Sequence, residues 1–230
     1  MSYMSYLHQF LFGIYPYIAL SVFLFGSLAR FEREQYTWKS DSLQLLHRGS
    51  LRLGNILFHV GVLGLFFGHL AGLLTPVVVW DTLGISHSLK QMVAMSAGGI
   101  MGGIALIGLL ILLVRRSSSA RLAHVRKAGD RLLMPWILVT LVLGLSTIFE
   151  SAGHLDGHMM IRLMNWAQGI FTFNGNAAAV IADAPLLFKA HLFMGMTLFL
   201  IFPFTRLVHV WSGFASIAYL GRAWQLVRPR

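Results

Sequence analysis

Two apolar stretches decide how this chain folds: LGNILFHVGVLGLFFGHLAGLL over residues 53–74 and HLFMGMTLFLIFPFTRLVH over residues 191–209. Each is close to the length of about 20 residues that an α-helix needs to cross a bilayer. Each also carries two histidines, His59 and His69 in the first stretch and His191 and His209 in the second. Because ionisable side chains are costly inside a membrane, these four histidines are candidates for a functional site.

The composition is that of a polytopic membrane protein. The 230 residues are 57% hydrophobic and 11% charged, whereas a soluble domain has about 25% charged residues. Stretches long and apolar enough to span a bilayer occur five times, over 8–29, 51–74, 91–114, 132–150 and 185–208. We therefore predict an all-α fold, an integral membrane five-helix bundle that forms a single domain over residues 1–230.

The basic residues indicate how this bundle is oriented. They cluster in segments 30–52 and 115–131 and in the tail from 206 onward, and the others are Lys90, Arg162 and Lys189. Since cytoplasmic connections carry an excess of Lys and Arg, we expect the N-terminus outside and the C-terminus in the cytoplasm. The net charge of +10 is then a topology signal for a protein embedded in membrane lipid, and it does not indicate nucleic-acid binding.

The connection over residues 151–183 lies on the predicted outer side. Within it, MIRLMNWAQGIFTF allows two interpretations, an amphipathic helix in the membrane interface anchored by Trp166 or a plain loop. We also expect Pro16 to bend the first span and Pro203 to bend the fifth.

The depth of the histidines in the membrane predicts how they pair. The second span runs outward and the fifth inward, so His59 and His209 lie toward the cytoplasm, and His69 and His191 toward the outside. The 18 residues between His191 and His209 amount to about five helical turns, which places both on one face of a continuous helix. Two imidazole pairs at two depths form the arrangement that holds two haems.

Other interpretations of these residues remain open. Each histidine alone could be a hydrogen-bonded core residue, and as a set they could relay protons in a transporter or channel. Met194 and Met196 are alternative axial ligands, although methionine is common in apolar cores. The second span also has glycines that we expect to make room for a flat porphyrin: Gly54, Gly61, Gly64, Gly68 and Gly72.

The chain has no cysteine, which removes thiolate-held iron–sulfur clusters and thioether-attached haem from it. Any haem would be non-covalent haem b. Iron–sulfur or molybdenum chemistry would have to belong to partner subunits.

Five stretches together resemble the gamma, or cytochrome b, subunit of membrane-bound respiratory nitrate reductase, and the resemblance covers nearly the whole chain. They are IYPYIALSVFLFGSLARFEREQYTW from residue 14, LFHVGVLGLFFGHLAGLLTP from 57, KQMVAMSAGG from 90, HLFMGMTLFLIFPFTRLVHVW from 191 and WQLVR from 224. The resemblance implies a multi-pass protein of the bacterial inner membrane with two b haems. It further implies that His69 and His191 hold the outer, distal haem, and that His59 and His209 hold the inner, proximal one.

The resemblance also implies a quinol site beside the outer haem, with a lysine that matches Lys90. A cation at this position, near the depth of His69, could hydrogen-bond a quinone oxygen. The alternative is a lysine that snorkels toward the membrane interface. Gly68 would leave space for the quinone ring, so the predicted quinol-binding residues are Lys90, Gly68 and His69.

Haem propionates need cationic partners at the membrane edges. Arg116 and Arg206 are candidates for the inner haem and Lys189 for the outer one. Each could equally be an ordinary interfacial anchor.

Together with these features, the resemblance implies a subunit that oxidises quinol on the outer side and releases protons there. The electrons would pass through the two b haems to a cytoplasmic iron–sulfur (beta) subunit and on to a molybdenum (alpha) subunit that reduces nitrate. A rival hypothesis keeps the two haems but replaces the terminal partner with another molybdenum or sulfur-metabolism complex.

Overall fold

The computed structural model describes residues 3–34, 48–117 and 128–211. Within these residues the secondary structure is helical and contains no strand. The basic connections at 35–47 and 118–127, and the tail from 212 that contains WQLVR, lie outside the described residues.

Five of the helices are long and apolar enough to cross a membrane: Ser5–Arg33, Gly49–Leu74, His87–Ser117, Leu132–Ala152 and Leu186–Phe204. We call them spans 1 to 5. They agree with the predicted ranges to within a few residues, because helix length and apolarity alone define a spanning segment. The prediction of an all-α, five-helix membrane bundle is thereby confirmed, while the orientation of its ends stays a prediction.

The α-helices of the described residues are α1 (Tyr3–Gln9), α2 (Tyr15–Glu34), α3 (Arg48–Leu74), α4 (Val77–Thr82), α5 (His87–Ser117), α6 (Ala128–Ala152), α7 (His158–Phe171), α8 (Ala177–Val180) and α9 (Leu186–Ile201). Span 1 consists of α1, a π-helical turn over Phe10–Ile14, and α2. Spans 2, 3 and 4 are formed by α3, α5 and α6, and span 5 is formed by α9 with the 3₁₀ turn that follows it, Phe202–Phe204. A second 3₁₀ turn covers Arg206–Val208.

The spans pack in an arc in the order 2, 3, 4, 5 and 1. Span 3 packs against spans 2 and 4, and span 5 packs against spans 4 and 1. The short helix α4 connects spans 2 and 3, and the short helices α7 and α8 connect spans 4 and 5. These connections lie on the same side of the membrane-spanning helices, which we call the α7 end of the bundle.

Glycines allow spans 2 and 3 to approach each other closely. A Cβ atom added to Gly61 would lie 2.4 Å from the Ala105 backbone nitrogen, and one added to Gly108 would lie 2.3 Å from the Phe58 nitrogen. Both distances are shorter than any van der Waals contact, so each position accepts only glycine at this separation. Helices in lipid associate largely through such close backbone packing.

This packing corrects the expectation for the glycines of span 2. Gly54, Gly61 and Gly64 all face span 3, where added Cβ atoms would meet Leu112, Ala105 and Met101. They are therefore not available to make room for a porphyrin. Added Cβ atoms at Gly68 and Gly72 meet no atom within 4 Å, so of the five glycines expected to make room only these two have open space.

Pro16 leaves a backbone carbonyl of span 1 without its usual helical donor, and the structure shows what compensates for it, while the bend expected there stays a prediction. Proline has no backbone N–H, so the carbonyl four residues earlier, that of Phe12, loses its helical partner. The indole Nε1 of Trp166 donates to this Phe12 oxygen at 2.9 Å. The π-helical turn Phe10–Ile14 lies directly before Tyr15 and Pro16.

Trp166 also shows which interpretation of the outer connection holds. MIRLMNWAQGIFTF is helical over most of its length, within His158–Phe171, so the plain loop is wrong. Trp166 is only 3% exposed and packs in a core with Phe12, Ile170 and Ile181. It therefore anchors α7 to the protein core and not to the membrane interface, which corrects that expectation.

Span 5 is broken before its second histidine. Its α-helix ends at Ile201, and Thr205 has extended backbone angles, φ −120° and ψ 179°. The bend expected at Pro203 is therefore confirmed. The five-turn argument for a shared helix face fails, because His191 and His209 do not lie on one continuous helix.

Replacing Gly108 by Ala should weaken the association of spans 2 and 3, because the new Cβ would overlap the Phe58 backbone, which cannot move alone. We expect a loss of about 1–3 kcal/mol of stability, measured by thermal unfolding in detergent. Gly103→Ala is the matched control, since its added Cβ meets no atom within 4 Å. Equal stability of the two variants would contradict the close approach.

Candidate functional site

The four membrane histidines form two pairs, each between span 2 and the chain of span 5 with the turn that follows it. The ring centroids of His59 and His209 are 5.9 Å apart, and those of His69 and His191 are 6.1 Å apart. These are the partners expected from depth. The break in span 5 does not separate His209 from His59, because the chain after the break still directs His209 toward span 2.

All four rings are oriented by the same kind of hydrogen bond. Each Nδ1 lies within bonding distance of a backbone carbonyl, and since a carbonyl only accepts, Nδ1 carries the proton. The remaining nitrogen, Nε2, is then the atom that can coordinate a metal. The Nδ1–oxygen pairs are His59 with Asn55 at 2.8 Å, His69 with Leu65 at 2.7 Å, His191 with Thr140 at 3.1 Å and His209 with Arg206 at 2.6 Å.

The separation within each pair fits a metal ion between the rings. Two imidazoles bound through Nε2 on opposite sides of one metal, at about 2 Å each, place their ring centroids about 6 Å apart. Both observed separations match this value. Each pair therefore has the spacing of two axial ligands without any movement of the helices.

The number of donors favours haem over a metal ion held by protein alone. Among the described residues, no group of three or more His, Cys, Asp or Glu side chains could hold a metal ion. Haem iron needs only two axial ligands from the protein, because the porphyrin supplies four nitrogens. The open space beside Gly68 and Gly72 lies along the same helix as His69. The residues present thus fit two bis-histidine haems.

Span 4 holds His191 in place, a role that the sequence analysis missed. The Thr140 carbonyl accepts the Nδ1 proton, and a Cβ added to Gly144 would lie 2.8 Å from Cε1 of the ring. Gly144 thus leaves the space that the imidazole occupies. A glycine one turn after a threonine in an apolar helix was the available signal, but nothing in the sequence linked it to His191.

Lys90 is buried near the level of His69, at the α7 end of span 3. Its side chain is 8% exposed, and Nζ donates to the Gly72 carbonyl at 3.2 Å and contacts the Met164 sulfur at 2.8 Å. The ammonium also lies 4.5 Å from the centre of the Trp80 ring, a cation–π distance. The snorkelling alternative requires an exposed ammonium and does not describe this position.

Lys90 also borders a small hollow between α4, span 3 and α7. Its other lining residues are Val77, Trp80, His87, Met160, Ile161 and Met164. Gly72, whose carbonyl accepts from Lys90, lies one turn from Gly68 and His69 on span 2. The three predicted quinol-binding residues therefore lie in one region, and their role stays a prediction.

The structure gives the side chains of two propionate candidates, Lys189 and Arg116, other partners, and it gives the backbone of the third, Arg206, a contact with His209. Lys189 Nζ donates to the Ala182 carbonyl at 2.6 Å, and Arg116 Nη1 contacts the Met134 sulfur at 3.8 Å. Arg206 supplies the carbonyl that orients His209. Their role toward a propionate stays a prediction.

Similarity to characterised proteins extends over essentially the whole chain. A family model described as "Nitrate reductase gamma subunit" matches residues 8–230. The chain is 44% identical over 227 residues to the respiratory nitrate reductase 1 gamma chain of Escherichia coli (strain K12), covering 99% of this chain and 100% of that protein. It is 34% identical over 222 residues to the nitrate reductase gamma chain of Bacillus subtilis (strain 168), covering 96% and 98%.

A Gly144→Ala substitution should displace the His191 ring, because its new methyl group would occupy the position of Cε1. The absorption spectrum of any haem bound at the His69–His191 pair should shift or lose intensity, while that of the other pair stays unchanged. Reduced-minus-oxidised spectra measure both. Gly99→Ala is the control, because its added Cβ makes only an ordinary contact of 3.6 Å with Ile148.

Proposed function

Because the chain belongs to the nitrate reductase gamma subunit family, we propose that it is the quinol-oxidising, dihaem cytochrome b subunit of its complex. The chain is a multi-pass protein of the bacterial inner membrane and a subunit of a respiratory nitrate reductase, an oxidoreductase. Nitrate reduction itself is assigned to a partner.

The observation that carries the proposal is the pair of histidine contacts. His69 and His191 would hold an outer haem b, and His59 and His209 would hold an inner one. When bound, the two haems would accept electrons one at a time and pass them across the membrane. The four Nδ1 hydrogen bonds support this assignment, because they set the tautomer that axial ligation requires.

Lys90 is proposed to bind and orient the quinol. Its ammonium can donate a hydrogen bond to a quinol oxygen and stabilise the negative charge that develops as the hydroxyl loses its proton. Trp80 and Met164 keep the ammonium close to Gly72, on the same side of the bundle as His69. Gly68 supports this role, because no atom lies within 4 Å of the position of its Cβ.

The overall reaction oxidises one quinol to one quinone with loss of two protons and two electrons. The protons would leave on the outer side, where the positive-inside rule places the α7 end. The electrons would move inward to a cytoplasmic iron–sulfur (beta) subunit and then to a molybdenum (alpha) subunit. Outward proton release and inward electron movement both separate charge across the membrane, at about 2.3 kcal/mol per charge for each 100 mV.

Substitution of the four histidines should produce two classes of variant. His59→Ala and His209→Ala should lose the inner haem, whereas His69→Ala and His191→Ala should lose the outer haem and quinol oxidation with it. Haem content per chain and the b-type α-bands of the purified complex measure this. A wild-type complex without haem would contradict the proposal and favour the transporter hypothesis.

Lys90→Met should keep both haems and weaken quinol binding, because methionine retains the packing against Met164 and Trp80 but has no ammonium. Loss of a charged hydrogen bond of about 1.5–3 kcal/mol corresponds to roughly 10- to 100-fold weaker binding. Quinol KM and the affinity for a quinol-site inhibitor measure it. Nitrate reduction driven by a soluble dye donor should not change, whereas a loss of haem with normal inhibitor affinity would refute this role.

A further inference from the structure

The break in span 5 leaves the Pro203 carbonyl without its α-helical partner in a buried position. Pro203 and Thr205 are both buried. The Leu207 backbone nitrogen, which a continuous helix would direct to the Pro203 carbonyl, instead donates to the Thr205 hydroxyl at 3.4 Å. Unsatisfied carbonyls at this depth are costly, so the break requires donors from elsewhere.

Arg30 of span 1 supplies these donors. Its Nη1 donates to the Pro203 carbonyl at 2.6 Å and to the Thr205 carbonyl at 3.0 Å. Both bonds carry the charge of the guanidinium, which makes them stronger than neutral hydrogen bonds. A single side chain thus joins the two sides of the break.

Two further residues on the same face of span 1 as Arg30 also pack against the chain around the break. One turn earlier, a Cβ added to Gly26 would lie 2.7 Å from Cγ of Pro203, so only glycine lets the proline pack there. Another turn earlier, the Phe23 ring packs against Phe202 at 4.9 Å and Trp211 at 5.6 Å. Phe23, Gly26 and Arg30 follow the helical spacing of one continuous face.

The segment held by Arg30 leads directly to His209. The turn Arg206–Val208 follows Thr205, the Val208 side chain is 1% exposed, and the Arg206 carbonyl accepts the Nδ1 proton of His209. The position of the ring therefore depends on where this segment is fixed. His191 differs, because it lies before the break and is held by span 4.

We propose that Arg30 is a positioning residue for His209, which it places opposite His59 by donating to the Pro203 and Thr205 carbonyls at the span 5 break. This role rests on the proposed function, because it concerns the ligand of the inner haem. It is distinct from a contribution to membrane topology, since the guanidinium bonds to carbonyls of another span. It also confines the effect of Arg30 to one of the two haems.

Redox titration of both haems in the intact, membrane-bound complex tests the proposal. Arg30→Gln should shift the midpoint potential and spectrum of the inner haem, or lower its occupancy several-fold, while the outer haem stays unchanged. Arg30→Lys keeps the charge and the N–H donors on a shorter side chain, so it should restore most of the wild-type behaviour. Gly26→Ala should disturb the same haem without any change of charge.

Arg33→Gln is the matched control, because it removes one positive charge three residues further along span 1 from an exposed side chain. An unchanged inner haem in Arg30→Gln would overturn the proposal, and so would equal loss of both haems in Arg30→Gln and Gly26→Ala. A wild-type complex without an inner haem would refute the proposed function itself, which separates the two failures.

Discussion

The structure depends on satisfying polar groups that lie inside an apolar bundle. Each of the four imidazoles donates its Nδ1 proton to a backbone carbonyl, which removes the cost of an unpaired N–H in hydrocarbon. The same bond leaves Nε2 as the nitrogen with a lone pair that could coordinate a metal. One interaction therefore makes the histidines tolerable in the membrane and orients them for a metal.

Near each of the two prolines a backbone carbonyl lacks its helical donor, and a side chain from another element supplies one. The Phe12 carbonyl, freed by Pro16, accepts from Trp166 of α7. The carbonyls around Pro203 accept from Arg30 of span 1. Because each of these hydrogen bonds joins two elements, they fix α7 against span 1 and fix span 1 against the chain that carries His209.

The two faces of span 2 differ in their packing: one packs closely against span 3, and the other carries the histidines of the candidate site. Gly61 and Gly108 bring spans 2 and 3 together at a distance that excludes any side chain. On the other side of span 2, His59 and His69 are exposed, and their ring centroids lie 5.9 and 6.1 Å from those of His209 and His191. The close contacts with span 3 hold span 2 so that this spacing needs no helix movement.

The sequence by itself determined the five spans, the four histidines and their pairing by depth, because apolar length, rise per residue and the distribution of charge are local or additive properties. The expectations for Gly54, Gly61 and Gly64, for Trp166 as an interfacial anchor and for a shared helix face in span 5 were wrong. Periodicity cannot show which neighbour a helix face meets, nor which distant donor supports a broken turn. Only the tertiary structure placed Thr140 and Gly144 against His191, buried Lys90 against Met164, and brought Arg30 to the break before His209. These contacts join residues far apart in the chain, and only the packing of whole helices decides their separation.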